Sequence, residues 1–254
     1  MSVAVCRLAV AASDPVFPLP SGADATAQRR AAVAALMAMD EAAMVRLVPA
    51  QSGIFFTDCP NCDGGAQDQA DWSWSPTAPG RLTCKGCGES YPDNARYPET
   101  GVVRVAAPGG EHVYPYYERP DGYRIYFRAH ADFRARAYMA SCCQAMAELY
   151  RLTGEEGYAR RSALLLDRFA QVYPGYACKY DYPFQQKRFS PYHTARIDGV
   201  SGFRVSKWNW WAYMDISREL LRAYDALRSW DGLDRLGDGG VRQRVEKDLL
   251  GGMV

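Results

Sequence analysis

Two pairs of cysteines carry the clearest chemistry in the chain. Cys59-Pro-Asn-Cys62 and Cys84-Lys-Gly-Cys87 are C-x2-C knuckles with 21 residues between them. Each tight turn aims two sulfurs at one point. Four thiolates make the closed tetrahedral shell of a structural zinc ion, leaving no position open for a substrate. Asn61, Gly64, Gly86 and Gly88 supply the small or turn-forming residues that such knuckles need. The pattern predicts one structural zinc on Cys59, Cys62, Cys84 and Cys87. Two disulfides are the competing arrangement, and the knuckle spacing weighs against them. Neither His112 nor His130 is spaced to turn the cluster into an open catalytic site. Cys6, Cys142, Cys143 and Cys178 show no ligand spacing, and the adjacent Cys142 and Cys143 read as small apolar packing residues.

A second constellation is basic and aromatic. Between Lys179 and Arg222 the chain carries eight Lys or Arg against four Asp or Glu, with ten Phe, Tyr or Trp interleaved. Flat rings beside cationic forks suit a polymer of carboxylated or sulfated sugars, the rings stacking on pyranose faces while arginine grips the anions. Arg196, Arg204, Lys207, Trp208 and Trp211 are the candidate substrate-binding residues. His193, beside Tyr192, is a weak candidate for proton transfer. The competing reading makes the tryptophans core anchors and the charges a solvated face.

Residues 1–49 read as a proline-rich lead-in followed by one amphipathic helix from about Asp24 to Val48, ended by Pro49. Residues 50–128 hold the knuckles among short runs such as Ile54-Phe55-Phe56 and Val102-Val103-Arg104-Val105, bounded by turn residues and read as strands. A hairpin is expected from Val113–Tyr117 to Tyr123–Phe127 across Arg119-Pro120-Asp121-Gly122. Residues 129–254 turn helical. Phe133, Tyr138, Cys142, Ala145, Leu149 and Leu152 form one stripe from Ala131 onward, and Gly154 stands where a left-handed residue closes a helix. A partner helix from about Glu155 to Val172, stopped by Pro174 and Gly175, completes an αα-hairpin. Further helices are expected over Trp210–Trp230 and from about Gly240. The last has hardly three turns before Val254, so the chain reads as cut short.

Composition removes several classes of function. The formal net charge is +1, and residues 51–104 hold seven acidic against four basic side chains, a balance that cannot neutralise phosphates, so no nucleic-acid partner is expected. No run approaches the roughly 20 apolar residues that span a bilayer. Leu8–Ala12, preceded by Arg7, is too short for the apolar core of a signal peptide.

Longer strings resemble a known family. Cys59-Pro-Asn-Cys62, Trp72-Ser-Trp74-Ser-Pro76, Cys84-Lys-Gly-Cys87-Gly88 and Tyr97-Pro-Glu99 resemble the start of heparinase II/III-like proteins. Tyr150-Arg-Leu-Thr-Gly154, Tyr158-Ala-Arg-Arg161 and Leu166-Asp-Arg-Phe-Ala170 resemble the first helical hairpin of their (α/α) toroid, and Lys207-Trp208 with Glu219–Asp225 the next inner helix. The likeness runs from about Asp24 onward. It implies a mainly α fold, an incomplete (α/α) toroid of helical hairpins carrying a small N-terminal zinc-ribbon β insertion. It also implies β-elimination at a uronic acid of an acidic polysaccharide, in the periplasm or cell envelope. Relatives use Asn or His, Tyr and His as catalytic groups downstream of this region, so the resemblance implies no catalytic residue within these 254 positions. A helical scaffold that uses the ribbon and hairpins for protein contacts is the alternative.

Overall fold

The computed structural model describes residues 15–19, 21–51, 53–55, 57–62, 65–66, 69–107, 110–176, 178–180, 203–205 and 216–253. Helices take about half of these residues and small antiparallel sheets a moderate share. The sheet content is thus higher than the mainly α expectation.

The single helix expected over 24–48 is two, α1 (Ala23–Met37) and α2 (Glu41–Arg46). The apolar periodicity continues through the gap, but Asp40 leaves helical backbone at φ −59° and ψ 142°, and its carboxylate accepts the Ala43 N–H at 3.1 Å. An aspartate in that position satisfies one of the donors that a helix start leaves over. The break also frees the Met39 carbonyl to accept from Arg161 at 2.8 Å, alongside the Leu36 carbonyl at 3.1 Å.

The cysteine-bearing region is built from very short strands. β1 (Gly65–Ala66) pairs with β2 (Gln69–Ala70). β3 (Trp72–Ser73), β4 (Leu82–Cys84) and β5 (Ser90–Tyr91) form one antiparallel sheet, with Trp72 opposite Cys84 and Leu82 opposite Tyr91. Ile54 and Phe55 are in no strand; the Ile54 N–H instead donates to the Ala129 carbonyl at 2.9 Å. β6 (Gly101–Ala107) and β7 (Gly110–Glu118) make a long hairpin, and β7 pairs onward with β8 (Arg124–Ile125) across the Arg119–Gly122 turn. Asp121 accepts the Tyr123 N–H there at 3.1 Å, and Gly122 sits at φ 82°, a backbone region that glycine enters without strain.

The strand expected to reach Phe127 stops at Ile125, because Phe127 already opens α3 (Phe127–Thr153), a turn ahead of the expected Ala131. Gly154 closes α3 at φ 74°, its N–H on the Tyr150 carbonyl at 2.8 Å. α4 (Glu156–Tyr176) runs past Pro174 rather than stopping at it. Tyr173 and Tyr176 are buried, and the Tyr176 hydroxyl donates to the Pro49 carbonyl at 2.6 Å, which holds the last turn in place. β9 (Cys178–Tyr180) pairs with β10 (Phe203–Val205). α5 (Ser217–Leu227) is shorter than the helix expected over Trp210–Trp230: Ile216 ahead of it is off helical backbone at φ −120° and ψ 6°, and the helix ends before Trp230, while residues 210–215 lie outside the described residues; a 3-10 turn over Asp231–Asp234 follows it. α6 (Val241–Arg244) then runs into a π-helical turn over Val245–Leu250.

The main core lies between α3, α4, α5 and the C-terminal turns, where Met146, Leu149, Leu166, Phe169, Leu220 and Val245 are all solvent-inaccessible. α1 adds Val33 and Leu36 to it. Along the expected α3 stripe, Phe133, Cys142 and Leu149 are buried, while Leu152 is 38% exposed at the helix end. Cys142 and Cys143 are both buried, Cys143 against Ser162. Among the described residues no helix is long and apolar enough to cross a membrane.

Candidate metal centre

The two knuckles come together because β4 delivers Cys84 beside the turn that carries Cys59 and Cys62. Cys84 is held from both sides: its N–H donates to the Glu89 carbonyl at 2.9 Å and its carbonyl accepts the Gly88 N–H at 2.8 Å. The Lys85 N–H donates to the Asp71 carbonyl at 2.8 Å, which ties the second knuckle to the residue just ahead of β3. Gly88, at φ 78°, lets the chain reverse into β5.

The four sulfurs all lie within 4.8 Å of one another. Cys59 Sγ is 3.7 Å from Cys87 Sγ, and Cys62 Sγ is 3.6 Å from Cys84 Sγ. A disulfide needs about 2.05 Å. A tetrahedron of thiolates at about 2.3 Å from a central ion has edges of about 3.8 Å. The spacings therefore fit a shared cation, and none of the four cysteines is in a disulfide. The donor set and its geometry are compatible with a metal site such as zinc.

Around the sulfurs is a shell of oriented polar groups. The Tyr91 hydroxyl lies 3.5 Å from Cys59 Sγ in a buried contact. Asn61 Oδ1 accepts from Arg96 at 3.1 Å and from the Tyr97 hydroxyl at 3.1 Å, fixing the first knuckle to the 93–97 turn. With thiols alone, burial pushes Cys59 up to about 12, partly offset by its hydrogen bonds with Tyr91 and backbone groups. Cys87 is drawn down to about 7, chiefly by a side-chain hydrogen bond with Asn61. A cation at the centre would override both, because a coordinated thiol is deprotonated outright.

The cluster is seated on α3. Trp72, Leu82, Tyr91 and Tyr97 share one small core with Phe127 and Ala131. Tyr91 stacks on Phe127 at 4.2 Å between centroids, and Trp72 meets Tyr91 edge-on at 5.6 Å. Arg134 donates to the Trp72 carbonyl at 2.7 Å. Glu99 supplies what Tyr126, the residue ahead of α3, does not. Its Oε1 accepts the Arg128 N–H at 3.2 Å, and its Oε2 meets the Arg128 guanidinium at 3.0 Å. Burial raises the Glu99 carboxyl to about 7 against these contacts. One turn in, His130 is wholly buried; its Nδ1–H donates to the Ile54 carbonyl at 3.1 Å, and burial lowers the imidazole to about 4, so the ring is neutral.

No protein-family model, curated protein or solved structure matches the chain. Of the residues expected to bind or process substrate, Tyr192, His193, Arg196, Lys207, Trp208 and Trp211 lie outside the described residues. Arg204 sits in β10 with its backbone paired to Lys179. The four cysteines are therefore the only expected site residues whose side chains are described. Tyr91 has no role in the sequence reading, and Glu99 enters it only as the end of the Tyr97-Pro-Glu99 string. Their roles come from pairings across the fold, and the one local signal was an aromatic shortly after the second knuckle.

Proposed function

We propose that Cys59, Cys62, Cys84 and Cys87 hold one structural zinc ion, and that the chain is the N-terminal portion of a heparinase II/III-like lyase acting on a uronic-acid polysaccharide. The observation that carries the zinc reading is the pair of sulfur distances, 3.6 and 3.7 Å, at the edge length of a zinc–thiolate tetrahedron. With four protein ligands the ion is closed to substrate, so its role is to hold the knuckles. Metal analysis of protein purified without added zinc should return one equivalent, released in step with modification of four thiols. A metal-free protein with the same thermal stability would overturn this.

The lyase reading rests on the sequence strings described above, and the seating of the ribbon on the first helix of an αα-hairpin is consistent with it. In this reading α3 and α4 form the first hairpin of an incomplete (α/α) toroid, and the basic aromatic segment contributes Arg196, Arg204, Lys207, Trp208 and Trp211 to the cleft wall. The test is to incubate the protein in its natural full-length form with heparan sulfate, alginate and other uronate polymers. Ultraviolet absorbance of a newly unsaturated uronate is the expected result. Zinc-loaded protein that neither cleaves nor binds any acidic glycan would leave the scaffold reading in its place.

A further inference from the structure

We infer that Tyr91 couples the metal to the helical half, acting as the positioning residue through which the loaded knuckles fix the start of α3. The inference rests on the zinc reading above and adds a residue outside the ligand set. The Tyr91 hydroxyl stands 3.5 Å from Cys59 Sγ. A metal-bound thiolate has no proton to give, so in the loaded state the hydroxyl is the donor and the sulfur the acceptor. Partners of this kind orient a ligand and adjust its charge, and their loss typically weakens metal binding about 10–100-fold.

The same side chain reaches the helix. Its ring stacks on Phe127, the first residue of α3, at 4.2 Å and an interplanar angle of 16°, and both residues are buried. Hydroxyl and ring lie on one rigid body with two side-chain torsions, so fixing the hydroxyl on Cys59 also fixes the face that Phe127 packs on. Trp72, edge-on to both rings at 5.6 and 6.1 Å, packs against the same pair.

The experiment compares the wild type with Tyr91→Phe and Tyr91→Leu. Zinc affinity is read by competition with a chromogenic chelator, the thiolate-to-metal band by cobalt substitution, and protection of the His130 and Ala131 amides by hydrogen exchange. Tyr91→Phe keeps the stacked ring and removes the donor. It should lower zinc affinity about 10-fold and move the cobalt–thiolate band to lower energy, because the sulfur loses a hydrogen bond. Tyr91→Leu should in addition abolish the gain in His130 and Ala131 protection that the wild type shows on loading. A wild type that binds no zinc overturns the zinc reading itself. A wild type that binds zinc, with Tyr91→Phe matching it in affinity and cobalt spectrum, overturns the role of Tyr91 alone. So does amide protection that is the same with and without metal.

Discussion

In the ribbon, β3, β4 and β5 contribute two or three residues each around Trp72, Leu82 and Tyr91, whereas α3 and α4 run 27 and 21 residues and bury apolar side chains along their whole length. Strands that short make too few ladder bonds to stand alone. The ribbon is therefore held by what crosses it, the helix face and, on the zinc reading proposed above, four ligands to one ion. The helical half draws its stability from area removed from water, at about 25 cal/mol per Å². The two regions should accordingly fail separately and for different reasons.

The sharpest way to break the comparison is to remove one ligand. Cys84→Ser, or a strong chelator, should collapse the ribbon while the far-ultraviolet helical signal persists. Binding free energies of structural zinc reach roughly 10–16 kcal/mol in small zinc domains, so on the zinc reading the ribbon should be the region that unfolds. Near-ultraviolet dichroism, which reports Trp72 and Tyr91, is the measurement; an unchanged spectrum would mean that the ribbon does not depend on a metal. The converse substitution, Phe169→Ala, should cost about 3–5 kcal/mol in the helical half. Zinc stoichiometry should be unaffected, since Phe169 belongs to the main core and has no part in the ribbon core. Urea unfolding combined with metal analysis separates the two effects.

His130 sharpens the comparison at the junction. Its folded value, about 4, is depressed below the ordinary value near 6.5, so the folded protein binds fewer protons than the unfolded chain between those limits. The stability it contributes is present above about pH 6.5 and is lost as the pH falls toward 4. His130→Leu should flatten that part of a melting-temperature profile. The smallest effect belongs to Asp40→Ala, which removes the α2 cap and should cost about 1 kcal/mol. Thermal unfolding should register it with the ribbon unaffected.

What the sequence disclosed follows the same division. The C-x2-C knuckles are legible because ligand chemistry is written in consecutive residues, and the α3–α4 hairpin because a stripe and Gly154 are local signals. The split at Asp40 is hidden by apolar periodicity that continues across it. The end of α4 is hidden because Pro174, usually a stop, is overridden by the burial of Tyr173 and Tyr176. The start of α3 depends on Glu99 reaching Arg128, and the seat of the ribbon on Tyr91 reaching Phe127; no window of neighbouring residues contains either pair. The long β6–β7 hairpin escapes because Pro115 and His112 interrupt the alternation of β7.

The linear order of the knuckles and α3 has a consequence for how the chain is made. Cys59, Cys62, Cys84 and Cys87 all leave the ribosome before Phe127, so the nascent chain holds all four cysteines while the helix that will seat on them does not yet exist. A cation taken up at that stage would close the knuckles first and present Tyr91 as a template, with α3 then growing outward from a surface already set.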